Sequence, residues 1–258
     1  MTPHHHVSVI VPIHNNERTL KRALDSVLNQ TWIARDPGNH LEVVCILNCC
    51  TDNSRQVIEK LDDQLSETED LQREIVVHSC ETKGIVPALN VGLEVATNSL
   101  IARQDADDFW HTTKLEKQIE FLDNNPDIDI VGTQIQLVTP DTYQHLSVSQ
   151  NPTDHDSIKK ALFLGYNPIA HPSVVFKRDI LLKTGTYSSL FPVAEDLDLW
   201  ARAMLCEYKF ANVDEPLVDY TSTVNPNYRP GVPQLIAYLA NILTATPEKY
   251  GTGAVRPV

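Results

Sequence analysis

The sequence predicts an α/β fold in which helices flank a mostly parallel central sheet. Strand and helix patterns alternate through the first 130 residues, an order that is typical of parallel sheets covered on both faces. Val7–Ile13 is a largely β-branched run, as expected for a strand that is buried on both sides. Hydrophobic residues make up 42% of the 258 residues and charged residues 21%, which is sufficient for a sizeable core.

Four strand–helix pairs account for the first half of the chain. After Val7–Ile13, the segment Glu17–Gln30 places Leu20, Leu24 and Val27 on one face, which predicts an amphipathic helix. Similar patterns predict strands at Leu41–Leu47, Glu74–His78 and Ser99–Gln104, and helices at Ser54–Leu65, Val86–Ala96 and Thr113–Leu122. In such sheets ligands bind at the carboxyl ends of the strands, so we expect the loops that follow the strands to carry the chemistry.

The second half is less regular and ends in a proline-rich tail. The patterns predict strands at Ile128–Val138, Ser173–Phe176, Tyr208–Val213 and Leu217–Val224, and helices at Asp156–Leu164 and Leu197–Cys206. Pro216 separates the last two strands, and five prolines follow Asn225. We therefore expect one domain over residues 1–224 and a C-terminal extension over residues 225–258.

Charge and cysteine content exclude several classes of protein. The chain has 21 Lys and Arg against 34 Asp and Glu, a net charge of −13, which argues against nucleic-acid binding through a basic face. Its five cysteines form no C-x-x-C pair, which favours a reducing compartment. Its start lacks a signal-peptide pattern, and its longest apolar candidate, Leu235–Ala245, is too short to span a bilayer. We expect no transmembrane segment and a cytoplasmic protein, with peripheral contact to a membrane face as an open alternative.

Two acidic clusters are the strongest candidates for chemistry. Asp105 and Asp107 follow the predicted Ser99–Gln104 strand, and in extended backbone they would project the same way and could ligate Mg²⁺ or Mn²⁺. A solvated acidic turn that caps the next helix is the alternative. Glu195 and Asp196 open a predicted helix, either as a catalytic base or because carboxylates stabilise a helix N-terminus.

A series of short motifs runs in order from about Val7 to Tyr220. It includes VSVIVPIHNNE at residues 7–17, ALDSVLNQT at 23–31, IARQDADD at 101–108 and EDLDLW at 195–200. Between these lie Thr51-Asp52, Lys83-Gly84, Ala88-Leu89-Asn90, Lys114–Gln118, Asn125-Pro126, Val131-Gly132 and His171-Pro172-Ser173. Each motif is weak alone, but the ordered set resembles a family 2 glycosyltransferase with the GT-A fold.

The resemblance implies an inverting, nucleotide-sugar-dependent hexosyltransferase of polysaccharide biosynthesis. Residues 7–110 would bind the nucleotide sugar, and residues 111–224 would bind the acceptor, a glycan or lipid-linked sugar, and carry the base. Asp105 and Asp107 would hold Mn²⁺ or Mg²⁺, with Asp107 the more direct ligand, and Asp196 ranks above Glu195 as the base. The implied donor-binding residues are Pro12, His14, Asn15, Asn16, Asn48, Lys83, Arg103, Asp105, Ala106 and Asp107, and the implied acceptor-side residues are His171 and Trp200.

Three residues of the implied donor site depart from the family pattern. Asn48 stands where a carboxylate often recognises the nucleobase, Asn16 where Glu is common and His14 where Tyr is usual. An amide oxygen can still accept a hydrogen bond from uracil or thymine N3–H, although more weakly than a carboxylate. We therefore expect a UDP- or dTDP-sugar that binds with modest affinity and binds more tightly to Asn48→Asp.

Two other functions stay open at the level of sequence. A nucleotidyltransferase would also use acidic metal ligands, but it should carry a glycine-rich basic loop where this chain has Pro12–Glu17. A non-catalytic protein that binds nucleotide sugars is the second alternative, given the altered loop at Asn48. Within the enzyme hypothesis, the Gln-x-x-Arg-Trp motif of processive relatives is absent after Trp200, which predicts transfer of one sugar per encounter.

Overall fold

The structure is a computed structural model and describes residues 5–68 and 70–222. Within these residues, nine strands form one sheet in the order β3-β2-β1-β4-β8-β6-β9-β5, and β7 pairs with β6. The strands are β1 His6–Ile13, β2 His40–Asn48, β3 Arg73–Cys80, β4 Leu100–Arg103, β5 Phe109–Trp110, β6 Ile130–Val138, β7 His145–Val148, β8 Val175–Lys177 and β9 Phe210–Thr221. The α-helices are α1 Leu20–Leu28, α2 Ser54–Ser66, α3 Ile85–Val95, α4 Lys114–Asn124, α5 His155–Phe163, α6 Leu181–Thr184 and α7 Glu195–Leu205.

The sheet has a parallel first half and a mixed second half. β3, β2, β1 and β4 are parallel neighbours, and the pair β6–β9 is also parallel. The short strand β8 joins β4 to β6 and runs antiparallel to both. The predicted α/β class with a mostly parallel, helix-flanked sheet is confirmed.

Two hydrophobic layers cover the two faces of the sheet. Val9 and Val11 of β1 face the layer that contains α1, α2 and α4. Ile10 of the same strand faces the other layer, which contains α3, α5 and α7. Because alternate residues of a strand point to opposite faces, this confirms the prediction that the first strand is buried on both sides.

Several predicted element boundaries are wrong. The helix predicted from Glu17 begins at Leu20, because residues 14–19 form a loop whose polar groups contact the neighbouring loop at residues 48–54. The helix predicted over Leu197–Cys206 begins two residues earlier, so Glu195 and Asp196 open α7 as expected. The two strands predicted on either side of Pro216 are one strand, β9, which accommodates the proline at a register shift opposite Thr133 and Gln134. A bulge lets a proline lie in a strand, since no ladder hydrogen bond is needed from it.

Other elements escaped prediction or lie outside the described residues. Ser173, predicted as a strand residue, closes a 3-10 turn that starts at His171, and β5 and β7 were not predicted. β5 is two residues long and β7 four, and runs this short are too brief for hydrophobic periodicity to assign. The proline-rich extension from Asn225 and the Leu235–Ala245 run fall outside the described residues. No helix within residues 5–68 and 70–222 is long and apolar enough to cross a membrane.

Close packing of α3 on the sheet gives a stability prediction. A Cβ at Gly92 would overlap Ile10 Cγ2 of β1, so Gly92→Ala should lower the free energy of unfolding by about 1–3 kcal/mol through overpacking. Glu94→Ala is the control, because Glu94 is exposed on the same helix and should change stability by less than about 0.5 kcal/mol. Urea unfolding followed by circular dichroism measures both, and equal midpoints for the two variants would contradict the prediction.

Candidate active site

A first cavity lies at the carboxyl ends of β1, β2 and β4. Its volume is about 250 Å³, and its walls come from the ends of β1 and β2, from the loops that follow β1, β3 and β4, and from the start of α3. The lining residues are Pro12, Ile13, His14, Asn16, Asn48, Lys83, Gly84, Ile85, Ala88, Asp105, Ala106 and Asp107. All but two of the ten implied donor-binding residues are among them; the exceptions are Asn15 and Arg103.

Side-chain hydrogen bonds hold the loop after β1 against the loop after β2. His14 Nδ1 lies 2.7 Å from the carbonyl oxygen of Asn48, which makes Nδ1 the protonated nitrogen of a neutral His14 ring. Asn15 has a left-handed backbone, with φ of 58°, and its Oδ1 accepts from the Thr51 amide. Asn15 therefore shapes the loop and does not line the cavity.

Asn48 shapes the same cavity from the end of β2. Its Nδ2 donates to the carbonyl oxygens of Cys80 at 3.2 Å and Thr82 at 2.7 Å, while its Oδ1 accepts from the Gly84 amide at 2.9 Å. This side chain is buried and connects β2 to the loop that carries Lys83. Both the donor group and the acceptor group of this side-chain amide are thus used within the protein, and one Oδ1 lone pair remains that a ligand could use.

The acidic segment after β4 is a turn rather than the extended backbone that the spacing predicted. The Asp108 amide donates to the Asp105 carbonyl oxygen, and buried Gln104 donates to the Asp108 carbonyl oxygen at 2.8 Å. Two contacts from β9 also reach this turn: Thr221 Oγ1 donates to the Asp107 carbonyl oxygen, and the Thr221 amide donates to Asp108 Oδ1, each at 2.7 Å. Asp105 and Asp107 nevertheless both face the first cavity.

Negative charge is crowded at this turn. Burial and then the charge of Asp105 raise the pKa of Asp107, and the same two causes raise the pKa of Asp108 well above its usual range. The Asp107 carboxylate accepts no hydrogen bond from another residue that the structure describes, whereas Asp108 is buried against β9. Of the two, Asp107 is the carboxylate that can bind a ligand from the cavity.

Arg103 partly compensates this charge from the opposite side of Asp105. The guanidinium forms an ion pair with Asp105 and is almost fully buried. Burial lowers the pKa of Arg103, but the charge of Asp105 outweighs it and the net pKa is raised, so the side chain is a fixed cation. It lines a second cavity and not the first, so its place among the donor-binding residues stays a prediction.

The second cavity lies beside the first and has a volume of about 590 Å³. Asp105 lines both cavities, so the two spaces meet at this carboxylate. The remaining wall of the second cavity combines apolar and hydrogen-bonding side chains from β6, β9 and the loops before α7. These are Ile135, Leu137, Ser149, Asn151, Asn167, Ile169, Ala170, His171, Pro172, Val193, Glu195, Asp196, Tyr220 and Ser222.

Glu195 and Asp196 both line this second cavity from the first turn of α7. Glu195 Oε1 lies 3.6 Å from His171 Nδ1, while Asp196 Oδ2 accepts from Asn167 Nδ2 at 2.6 Å and Oδ1 accepts from the Leu197 amide at 2.7 Å. Burial raises the pKa of each carboxyl group. A raised pKa makes a carboxylate a better proton acceptor, as general-base catalysis requires.

His171 is neutral in this environment. Burial, and then the charge of Arg103, lower the pKa of His171 to about 3, and its Nε2 lies 2.9 Å from the Tyr187 hydroxyl. Trp200 packs edge-on against His171 and is fully buried. Trp200 therefore lies behind His171 and is not among the residues that line the cavity; its implied acceptor-side role stays a prediction.

Sequence reasoning missed several residues of the second cavity. Asn167, Asn151, Tyr220 and Ser222 line it but lie in irregular loops or at the end of β9. None of them belongs to a motif with a recognisable spacing. Asn167 differs from the other three because it contacts Asp196, but this contact joins residues 29 positions apart and is visible only in the structure.

No group of three or more His, Cys, Asp or Glu side chains in the described part of the chain is arranged to hold a metal ion by itself. Asp105 and Asp107 are the two carboxylates that face the first cavity. Mg²⁺ and Mn²⁺ commonly bind to one or two carboxylates and take their other ligands from water and substrate phosphates. The pair fits that kind of site and does not fit a cage made of protein ligands alone.

Comparison with known proteins identifies the family of the chain. The model of glycosyl transferase family 2 matches residues 8–185. The chain therefore belongs to glycosyl transferase family 2, and the resemblance inferred from the ordered motifs is confirmed.

Among curated proteins, the chain is similar to the O-antigen biosynthesis glycosyltransferase WbnJ of Escherichia coli. The two are 30% identical over 218 residues, which cover 83% of this chain and 78% of WbnJ. Among solved structures, a fragment of S. aureus TarS in complex with UDP-GlcNAc superposes with a TM-score of 0.69 at 19% identity, covering 92% of this chain and 65% of that one. The mannosyltransferase PcManGT of Pyrobaculum calidifontis, in complex with GDP-Man and Mn²⁺, gives 0.60 at 21% identity, covering 88% and 59%.

The contacts of Asn48 predict that Asn48→Asp binds nucleotide more weakly, which is the opposite of the effect expected from the sequence. In Asn48→Asp, carboxylate oxygen would replace the amide that donates to the Cys80 and Thr82 carbonyls, so unpaired acceptors would face each other. We expect the free energy of unfolding to fall by about 1–3 kcal/mol and nucleotide binding to weaken rather than tighten. Thermal unfolding measures the first effect, with the exposed Gln150→Glu as control. Wild-type stability together with tighter uridine nucleotide binding would restore the sequence-based expectation.

Proposed function

We propose that this chain is a non-processive, inverting, metal-dependent hexosyltransferase. It would move one sugar from a nucleotide-diphosphate sugar to a hydroxyl group of a glycan or lipid-linked acceptor. The observation that carries this proposal is the position of Asp105 on the wall of both cavities. A donor in the first cavity and an acceptor in the second would meet at this carboxylate.

The first cavity suits the nucleotide diphosphate. It lies at the carboxyl ends of parallel strands, where α/β sheets bind nucleotides, and it carries Lys83, His14 and the amide of Asn48 beside the two carboxylates. UDP-GlcNAc in the TarS complex and GDP-Man in the PcManGT complex support a nucleotide-sugar donor. We favour UDP- or dTDP-sugars, because the remaining Oδ1 lone pair of Asn48 can accept from a pyrimidine N3–H.

Asp107 and Asp105 would hold Mn²⁺ or Mg²⁺, with Asp107 the more direct ligand because Asp105 is already paired with Arg103. The Mn²⁺ in the PcManGT complex supports this choice of cofactor. Such an ion, when bound, neutralises charge on the leaving diphosphate. Burial is the main cause that raises the pKa of Asp107, and the charge of Asp105 raises it further; a divalent cation would offset both effects.

The second cavity suits an acceptor with hydroxyl groups. Asp196 would accept the proton of the attacking hydroxyl while its oxygen forms a bond to the anomeric carbon of the donor. The bond from that carbon to the diphosphate oxygen breaks, and the nucleoside diphosphate leaves with the electron pair. Attack from the acceptor side, opposite the leaving group, inverts the anomeric configuration. The name of WbnJ, an O-antigen biosynthesis enzyme, supports a role in polysaccharide biosynthesis.

A non-catalytic nucleotide-sugar-binding protein is the second candidate. It is favoured by the ion pair that Arg103 forms with Asp105, because this pair already neutralises one of the two carboxylates proposed to bind metal. The two candidates differ in turnover. A binding protein would bind a nucleotide sugar without hydrolysing or transferring it, with or without Mn²⁺.

The metal hypothesis predicts the behaviour of Asp107→Asn. A thermal-shift panel of UDP-, dTDP- and GDP-sugars should show stabilisation of the wild type that increases with Mn²⁺, since ligands that bind only the native state stabilise it. Asp107→Asn should lose the Mn²⁺-dependent part of the shift and most turnover, while Asp141→Asn, an exposed control in the β6–β7 turn, should retain both. Wild-type turnover in the presence of EDTA would contradict the metal assignment.

A paired experiment distinguishes Asp196 from Glu195 as the base. Asp196→Asn should reduce sugar transfer by about 10²–10⁴-fold, the usual effect of removing a general base, and should leave donor binding with Mn²⁺ unchanged. Glu195→Gln should have a smaller effect. A fully active Asp196→Asn beside an inactive Glu195→Gln would assign the base to Glu195, and two active variants would exclude both from the proton transfer.

A further inference from the structure

Asp196 is held on two sides within the second cavity. Its Oδ2 accepts from the Asn167 side chain at 2.6 Å, and its Oδ1 accepts from the Leu197 amide at 2.7 Å. A carboxylate has about four acceptor positions, so two remain for a substrate hydroxyl. Glu195, its neighbour, has a backbone hydrogen bond from its own amide and the 3.6 Å approach of His171, but the structure shows no side-chain amide that donates to it within the described residues.

The orientation of the Asn167 amide follows from its two contacts. Its Oδ1 accepts from the Ile169 amide at 3.3 Å, which leaves Nδ2 directed at the carboxylate. Since an ionised carboxylate only accepts hydrogen bonds, the nitrogen must face Asp196. Pro168 follows Asn167 directly and is buried, which restricts the backbone between these two contacts.

We infer that Asn167 is a positioning residue that fixes the Asp196 carboxylate in one orientation and keeps it ionised for proton transfer. The inference rests on the proposed function, in which Asp196 is the base. Asn167 acts through Asp196 and not on the donor. It corresponds in role to the group that orients the base in other general-base sites.

The balance of charges around Asp196 explains why a hydrogen-bond donor such as Asn167 is needed beside this carboxylate. Burial is the main cause that raises the pKa of Asp196, and Glu195 raises it further, while His171, the Leu197 amide and the Asn167 side chain lower it. Because burial lowers the pKa of His171 to about 3, His171 is neutral over the working pH range, and the two hydrogen bonds are what stabilises the ionised form of Asp196 there. Arg103, Asp105 and Tyr220 complete the titratable groups of the cavity, and the charge of Arg103 is engaged by Asp105.

Two substitutions of Asn167 test the inference. Asn167→Leu removes the hydrogen-bond donor at similar side-chain volume. Asn167→Asp replaces it with a negative charge, like that of Asp196. Loss of the hydrogen bond disfavours the ionised form, so the pKa of Asp196 should increase from wild type to Asn167→Leu and again to Asn167→Asp. The acid limb of the pH profile of kcat should move to higher pH in the same order. On that limb we expect kcat about tenfold lower than in the wild type, with KM for the sugar donor unchanged.

Asn151→Leu is the matched control, because Asn151 lines the same cavity but contacts Ser149 and Gln134 instead of Asp196. Carbon-detected NMR of the Asp196 carboxyl group measures its pKa without requiring turnover, and thermal unfolding confirms that each variant is folded. If the chain transfers no sugar, the NMR order still tests the contact between Asn167 and Asp196. An Asp196 pKa that is the same in wild type and both Asn167 variants, or that increases equally in Asn151→Leu, would overturn the inference.

Discussion

The ion pair between buried Arg103 and half-buried Asp105 is the interaction on which the candidate site depends. Asp105 lies on the wall shared by the two cavities, close to Asp107 and Asp108 in the same turn. Five carboxylates lie in or beside these cavities, and burial raises the pKa of four of them: Asp107, Asp108, Glu195 and Asp196. Arg103 is the cation among the second cavity's lining residues, so its removal would leave that charge uncompensated in a region of low dielectric.

Backbone geometry alone does not form the donor cavity. The loops after β1 and β2 are held together by side chains that accept from backbone amides, such as Asn15 from Thr51 and Asp52 from Glu17. Asn48 makes the corresponding connection from β2 to the loop at residues 80–84. These polar residues are thus part of the structure of the cavity as much as of its surface, and a substitution that changes one hydrogen-bonding group affects two loops.

The two halves of the site differ in how far the sequence could predict them. The donor half follows parallel strands that each have a clear hydrophobic pattern, and eight of its ten implied residues line the first cavity. The acceptor half is built from β6, β9 and irregular loops, which have no regular hydrophobic pattern. Of the two residues implied there, His171 lines the second cavity and Trp200 is buried behind it, while Asn167 gave no signal in the sequence.

Hydrophobic periodicity and ordered motifs are local features of a chain, so the residues alone predicted the fold class, the order of the strands and helices in the first half, and the family. Which polar groups are free to bind a ligand depends instead on how distant segments pack. Asn48 and Asp105 have suitable chemistry in the sequence. In the structure, however, Asn48 is hydrogen-bonded to the loop at residues 80–84, and Asp105 is paired with Arg103, which lines the second cavity and not the donor cavity. The pairing of Asn167 with Asp196 likewise requires the loop before the 3-10 turn to pack on α7, and contacts between distant segments depend on packing that no local pattern encodes.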